Sequence, residues 1–186
     1  MKRRSLIGLI LVFLFVAPVL AGTLKGITLP DTLTIDDQTL VLNGMALRKK
    51  VIFKVYVAGL YLPAKEKNSE TILAADQTRC TVMHFLRSVD AGKISEAWFD
   101  GMKANTPNHS PELKKLFDTL ASLMEDLQEG DKLVFTYRPG KGTEVKVKGN
   151  VKGTLCDKVF ADALFSCWIG KKPGPGEGFK NDLLGI

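Results

Sequence analysis

From Val51 to Leu62 the chain reads Val-Ile-Phe-Lys-Val-Tyr-Val-Ala-Gly-Leu-Tyr-Leu, apolar at almost every odd and every even position. A strand with one wet face alternates apolar and polar residues, whereas a strand covered on both faces is a near-continuous apolar run. This segment is therefore expected as a strand inside a layered protein. The polar atoms of Arg48 just ahead of it, and of Lys54 and Tyr56 within it, then need partners there. Either a structural acid near Asp36-Asp37 or a bound anion would satisfy Arg48.

The N-terminus has a different character. Lys2, Arg3 and Arg4 precede an apolar run from Leu6 to Leu20, which ends in Val19-Leu20-Ala21 before Gly22. A basic start, an apolar core of about 15 residues and a small residue at the end is the order of a secretory signal peptide. A spanning helix needs roughly 20 apolar residues, and Pro18 interrupts this run. Residues 1–21 are read as a cleaved export signal and 22–186 as one domain, periplasmic or secreted, with no stable membrane anchor after cleavage. Removing residues 1–21 takes away three of the 26 Lys and Arg and none of the 20 acids, so the net charge falls from +6 to +3. So small a positive excess does not indicate a nucleic-acid partner.

The three cysteines, Cys80, Cys156 and Cys167, are an odd number in an exported chain. They suit buried thiols better than a disulfide framework, though one bridge stays open. The two histidines, His84 and His109, lie at no ligand spacing from a cysteine, so no metal is expected. Neither a nucleophile elbow nor a Gly-rich phosphate loop is present, and no cofactor is expected.

The remaining pattern is α+β. Thr34–Leu42 predicts a hairpin turning at Asp36-Asp37, and Asn43-Gly44 predicts a second turn. Asn68 caps a short helix through Ala75, and Thr78–Leu86 is a strand. Ile94, Ala97, Trp98, Gly101 and Met102 make one helical stripe. Ser110 and Pro111 open a second helix, whose stripe runs from Leu113 to Leu127 and which Gly130 closes. Lys132–Tyr137 and Thr143–Lys148 form a hairpin, with a further strand near Val151–Leu155. Asp157 caps a helix to about Trp168, stopped by Gly170, and a breaker-rich loop over 171–178 precedes Leu183-Leu184. Blocks of strands and helices imply a mostly antiparallel sheet.

Two motifs carry a resemblance. Gly44-Met-Ala-Leu-Arg48 followed by Lys54-Val-Tyr-Val-Ala-Gly-Leu-Tyr-Leu62 resembles the arginine turn and central strand of chalcone isomerase-like proteins. Phe160-Ala-Asp-Ala-Leu-Phe-Ser-Cys-Trp-Ile-Gly170, then Lys172-Pro173 and Leu183-Leu-Gly185, resembles that family's C-terminal helix and tail. The likeness spans the mature chain and is strongest to exported bacterial members. It implies an open-faced β-sandwich, a large antiparallel sheet with a helical layer and a ligand cleft beside the sheet. Members include plant enzymes that cyclise chalcones, fatty-acid binders and non-catalytic homologues. In the enzymes an arginine carries the attacking phenolate, a strand threonine and a helix tyrosine support the enolate, and a lysine and an asparagine line the cleft. Transferred here, the arginine is Arg48 and the threonine position is Tyr56. The segment Asp90–Phe99 has no tyrosine and offers Lys93, and Asn150 stands loosely at the polar position before the last helix.

The resemblance thus implies a binder of a small apolar ligand with an anionic head, such as a fatty acid, without catalysis. Arg48 would hold the anion and Tyr56 would donate a hydrogen bond. Isomerase or intramolecular lyase activity with Arg48 as electrostatic stabiliser is the second reading. A structural or partner-binding envelope module is the third. Run straight, the eight residues from Arg48 to Tyr56 would span roughly 26 Å. Either a turn at Lys49-Lys50 folds the two together or a long acyl chain lies between them, and Tyr61 is the alternative partner.

Overall fold

The computed structural model describes residues 21–186. The export signal expected over 1–21 lies outside the described residues, Ala21 excepted. Two strands, β1 (Ala21–Leu24) and β2 (Ile27–Pro30), pair as a separate hairpin. The main sheet has seven strands in chain order: β3 (Thr32–Ile35), β4 (Gln38–Lys50), β5 (Phe53–Leu62), β6 (Arg79–Phe85), β7 (Lys132–Arg138), β8 (Gly142–Val147) and β9 (Asn150–Leu155). Every neighbouring pair is antiparallel. Helix α1 (Ser69–Ala74) joins β5 to β6; α2 (Ala91–Asn105) and α3 (Pro111–Ser122) join β6 to β7; α4 (Lys158–Ile169) and α5 (Glu177–Leu184) end the chain. The expected α+β architecture, a large antiparallel sheet under a helical layer, is the one observed.

The central strand owes its double apolarity to two different covers. Tyr56, Ala58, Leu60 and Leu62 face the main core, together with Trp98, Phe117, Phe160 and Trp168 from the helices. Tyr61, one parity away, packs on the opposite face with Leu29, Leu40, Leu42, Cys80 and Val82. Leu29 belongs to β2, so the β1–β2 hairpin covers this second face. The approach is close: a Cβ on Gly59 would lie 2.5 Å from Leu29 Cδ1. Lys54, expected to need an inner partner, is exposed.

Local signals set most boundaries. The Asn68 side chain accepts from the backbone N–H of Glu70 and Thr71, Ser110 from Leu113, and Asp157 from Val159. These are the caps that leave fewest orphan donors at a helix start. The β3–β4 turn falls at Asp36-Asp37, with Asp36 at φ 53°.

Three expectations are corrected. Asn43-Gly44 is not a turn: β4 passes through it, with a register shift between Leu42 and Gly44. The buried Asn43 amide donates to Leu183 O (2.9 Å) and Glu66 O (3.0 Å), and its Oδ1 accepts from Glu66 N. Gly44 sits under the end of α5, where a Cβ would meet Asp182 O at 2.2 Å. The chain reverses instead at Val51-Ile52, so β5 begins at Phe53 rather than Val51. The second long helix stops at Ser122, because Leu127 pairs with Val89 in an isolated β-bridge; the apolar period persists because this segment also packs on the core.

One residue carries more structure than its place in a strand suggested. Arg79 on β6 is fully buried; it donates to Ile72 O and Asp162, and stacks between the rings of Tyr137 and Phe165. A buried charge persists only when paired and hydrogen-bonded, and this pairing ties α4 to the sheet.

The cysteines are all free. Cys80 and Cys167 lie in the cores on opposite faces of the sheet, and Cys156 is exposed, which leaves no pair to bridge.

Candidate functional site

The β4–β5 hairpin resolves the distance problem posed by Arg48 and Tyr56. Because the chain turns at Val51-Ile52, Arg48 and Tyr56 are direct cross-strand partners. Directly opposed residues share a face of the sheet, with Cβ atoms about 4.5–5.5 Å apart. A single headgroup can therefore reach both. Both line a cleft of about 760 Å³ between the ends of β4, β5 and β6, the cleft side of α2, the end of α4 and the loop at Gly174-Pro175. Pockets of roughly 300–1,000 Å³ are the usual size for small organic ligands.

Arg48 is half-buried and donates through Nη1 to Pro175 O at 3.0 Å. Among the described residues no carboxylate forms an ion pair with it; the acid anticipated as its partner, Asp36, engages Arg138 and Lys141 instead. Lys141 and Arg138 hold the Asp36 carboxyl below the usual range, chiefly through the hydrogen bond and charge of Lys141.

Tyr56 is buried, and its ring packs against Phe85 (5.5 Å) and edge-on to Phe179 (5.9 Å). Its hydroxyl oxygen accepts from Trp168 Nε1 at 3.3 Å, which leaves the hydroxyl proton free to donate. Burial pushes the Tyr56 phenol up to about 12, against the opposing pull of the Trp168 hydrogen bond and of Arg48. At neutral pH it is a fixed donor. The indole of Trp98, edge-on to Trp168 at 5.1 Å, also lines the cleft, and its buried Nε1 has no partner among the described residues. Arg48 and Tyr56 thus add two donors to a largely aromatic wall.

The wall is close-packed behind these groups. Gly101 of α2 is needed where α2 crosses α4, since a Cβ there would lie 2.5 Å from Cys167 Sγ. Cys167 itself reaches the cleft, but burial pushes its thiol up to about 12, so it carries no thiolate for nucleophilic chemistry.

The other anticipated residues are placed differently. Lys93 stands at the cleft rim on the first turn of α2, exposed, and pairs with Asp90 at 2.7 Å. Tyr61 lies on the opposite face of the sheet, and its hydroxyl donates to Pro30 O at 2.8 Å. Asn150 begins β9, the far edge strand, is exposed, and lies outside the cleft lining. Strand parity separates Tyr61 from Arg48, and three strands lie between β5 and the β9 strand of Asn150. Trp98, Trp168 and Pro175 were not anticipated: both tryptophans read as helix-core stripe, and a backbone acceptor in a Pro-Gly loop leaves no side-chain signal.

A family model described as chalcone isomerase-like matches residues 21–185. A search of curated proteins by sequence returned no match. Among solved structures, the crystal structure of a fatty-acid binding protein of Arabidopsis thaliana superposes with a TM-score of 0.71. It is 16% identical, and the match covers 88% of this chain and 95% of that one.

Proposed function

The chain belongs to the chalcone isomerase-like family, and within it we propose that this protein binds a small apolar ligand through an anionic head, without converting it. A long-chain carboxylate such as a fatty acid is the ligand class that best fits. The observation that carries the reading is the cross-strand pair Arg48–Tyr56 at the cleft, where Arg48 has a carbonyl partner but, among the described residues, no counter-ion. A guanidinium keeps its charge and offers several donors in a fixed plane, which suits a carboxylate. The neutral Tyr56 hydroxyl supplies one more donor, and the apolar wall of Phe85, Ile94, Trp98 and Trp168 suits an acyl chain. The Arabidopsis protein of like fold is itself a fatty-acid binder.

The protonation states at the site support a reading without acid–base turnover by these side chains. Acid–base catalysis works best with a group that titrates near the working pH. Tyr56 and Cys167 are pushed to about 12 at this site, too high to exchange protons near neutrality. Export through residues 1–21 completes the reading and places the protein in the periplasm or outside the cell.

Native mass spectrometry of protein purified from its own host tests this. We expect the processed chain starting near Gly22 to carry a co-purifying fatty acid, lost in Arg48→Ala while the circular dichroism spectrum is retained. A ligand retained in Arg48→Ala, or chalcone turnover that collapses in that variant, overturns the reading in favour of a different site or of an isomerase.

A further inference from the structure

The tip of the β4–β5 hairpin is an unusual turn. Two-residue hairpin turns favour Asn, Asp and Gly, because their backbone needs positive φ. This chain follows that rule at its other tight turns, with Lys25-Gly26, Asp36-Asp37 and Lys148-Gly149, in each of which the first residue has φ between 51° and 53°. At the β4–β5 tip it places Val51 at φ 56° and Ile52 beside it. A β-branched residue in the left-handed region is strained, and such strain clusters at functional sites.

The same tip is also bare. Val51 is 88% exposed, Ile52 81% and Phe53 54%. They are three of the six large apolar residues exposed in the described structure, and the other three are scattered. Around them stand Lys49, Lys50 and Lys54, all exposed, and Arg87, whose guanidinium covers the Phe53 ring at 4.5 Å. The segment 48–54 holds four basic residues and no acid; the acids of the cleft lining stand across it, Asp90 just ahead of α2 and paired with Lys93, and Glu96 and Asp100 on α2. Lys50, Val51 and Phe53 line the cleft, so the tip is also its mouth.

We propose that the Val51-Ile52-Phe53 tip with its lysine collar docks the protein on an anionic lipid bilayer, presenting the mouth of the cleft to the membrane surface. Apolar side chains inserted at the headgroup boundary, flanked by cations, are the pattern of peripheral membrane binding. No helix among the described residues is long and apolar enough to span a bilayer, so the contact is superficial and reversible. It rests on the ligand reading only for its cargo: a lipid-derived acid would enter the cleft directly from the surface that supplies it.

Co-sedimentation of the mature protein with vesicles tests the docking, using phosphatidylglycerol–phosphatidylcholine mixtures against pure phosphatidylcholine. The expected result is binding to the anionic vesicles, weakened by salt. Ile52→Asp should lower partitioning by roughly tenfold or more, as expected for losing the burial of one large aliphatic side chain. The pair Lys49→Gln and Lys54→Gln should lower it by about tenfold or more, at roughly fivefold per cation. Ile52, Lys49 and Lys54 lie outside the cleft lining, so binding of soluble cis-parinaric acid stays unchanged in these variants. Anionic vesicles that fail to bind the native protein, or bind Ile52→Asp equally well, overturn the proposal. Concentration-dependent dimerisation abolished by Ile52→Asp, without vesicle binding, overturns it in favour of a second copy on the tip. Vesicle binding that persists when cis-parinaric acid fails to bind sustains the docking and removes the ligand reading alone.

Discussion

Tyr56 shows how one hydroxyl serves both the fold and the site. Among the described residues its oxygen is the one acceptor for Trp168 Nε1, and its proton is what a ligand would receive. Tyr56→Phe should therefore cost about 1–3 kcal/mol of stability, since it leaves a buried indole donor unsatisfied. The same change should weaken binding of the carboxylate by roughly 10- to 100-fold, the size of one hydrogen bond to a charged group. Urea denaturation midpoints and a binding titration separate the two effects. The cysteines make a second residue-scale prediction. Burial raises the Cys80 thiol to about 11 and the Cys167 thiol to about 12. A thiol reagent at mildly alkaline pH should label Cys156 alone in the folded protein and all three cysteines in denaturant. The buried character of Cys80 and Cys167 was legible from their apolar neighbours in sequence; the impossibility of a bridge was not, because only the sheet separates them.

At the scale of elements, the β4–β5 hairpin and the α5 clamp decide whether the cleft exists. The sequence signals were misleading here for a physical reason. Asn-Gly is the strongest short turn signal, yet Asn43 and Gly44 are held in β4 by contacts with Glu66 and α5, far away in the chain. Val51-Ile52 has high strand propensity, yet it forms the turn. Local preference lost to tertiary context in both places. Gly44→Ala should be destabilising by about 1–3 kcal/mol through overpacking, since Asp182 O is backbone and cannot swing aside. Thermal unfolding measures it directly, and the shift should come with weaker ligand binding as α5 and the Pro175 loop loosen. Replacing Val51-Ile52 by Asn-Gly should do the reverse, raising stability by roughly 0.5–2 kcal/mol as the strain is relieved, while vesicle binding is lost.

For the whole molecule, the three tyrosines share one consequence. Burial is the leading cause in each: Tyr56 and Tyr137 are pushed up to about 12, and Tyr61 is raised further. An acidic group whose folded pKa exceeds its unfolded value supports the fold below the unfolded pKa and loses that support as pH rises. Stability should thus be unaffected by these tyrosines up to about pH 10, and then fall steeply through the folded values near 12. Near-ultraviolet difference absorbance should show phenolate appearing together with unfolding, not before it. The strand order came only with the structure, whereas the large antiparallel sheet, the helical layer and Arg48 with Tyr56 beside a cleft were legible from apolar periodicity and the two family-like motifs. Trp98, Trp168 and Pro175 were not, because a site assembled from helix-core residues and a backbone carbonyl carries no motif.

The central claim is that Arg48 recognises a carboxylate at the cleft. Isothermal titration of the mature protein with a long-chain fatty acid and with its methyl ester isolates that contact, because the two ligands differ only in the headgroup. The account predicts that the acid binds about 10- to 100-fold more tightly, the value of a hydrogen bond to a charged group, and that the preference disappears in Arg48→Gln. Equal affinity for acid and ester in the native protein, or no binding of either, would contradict it.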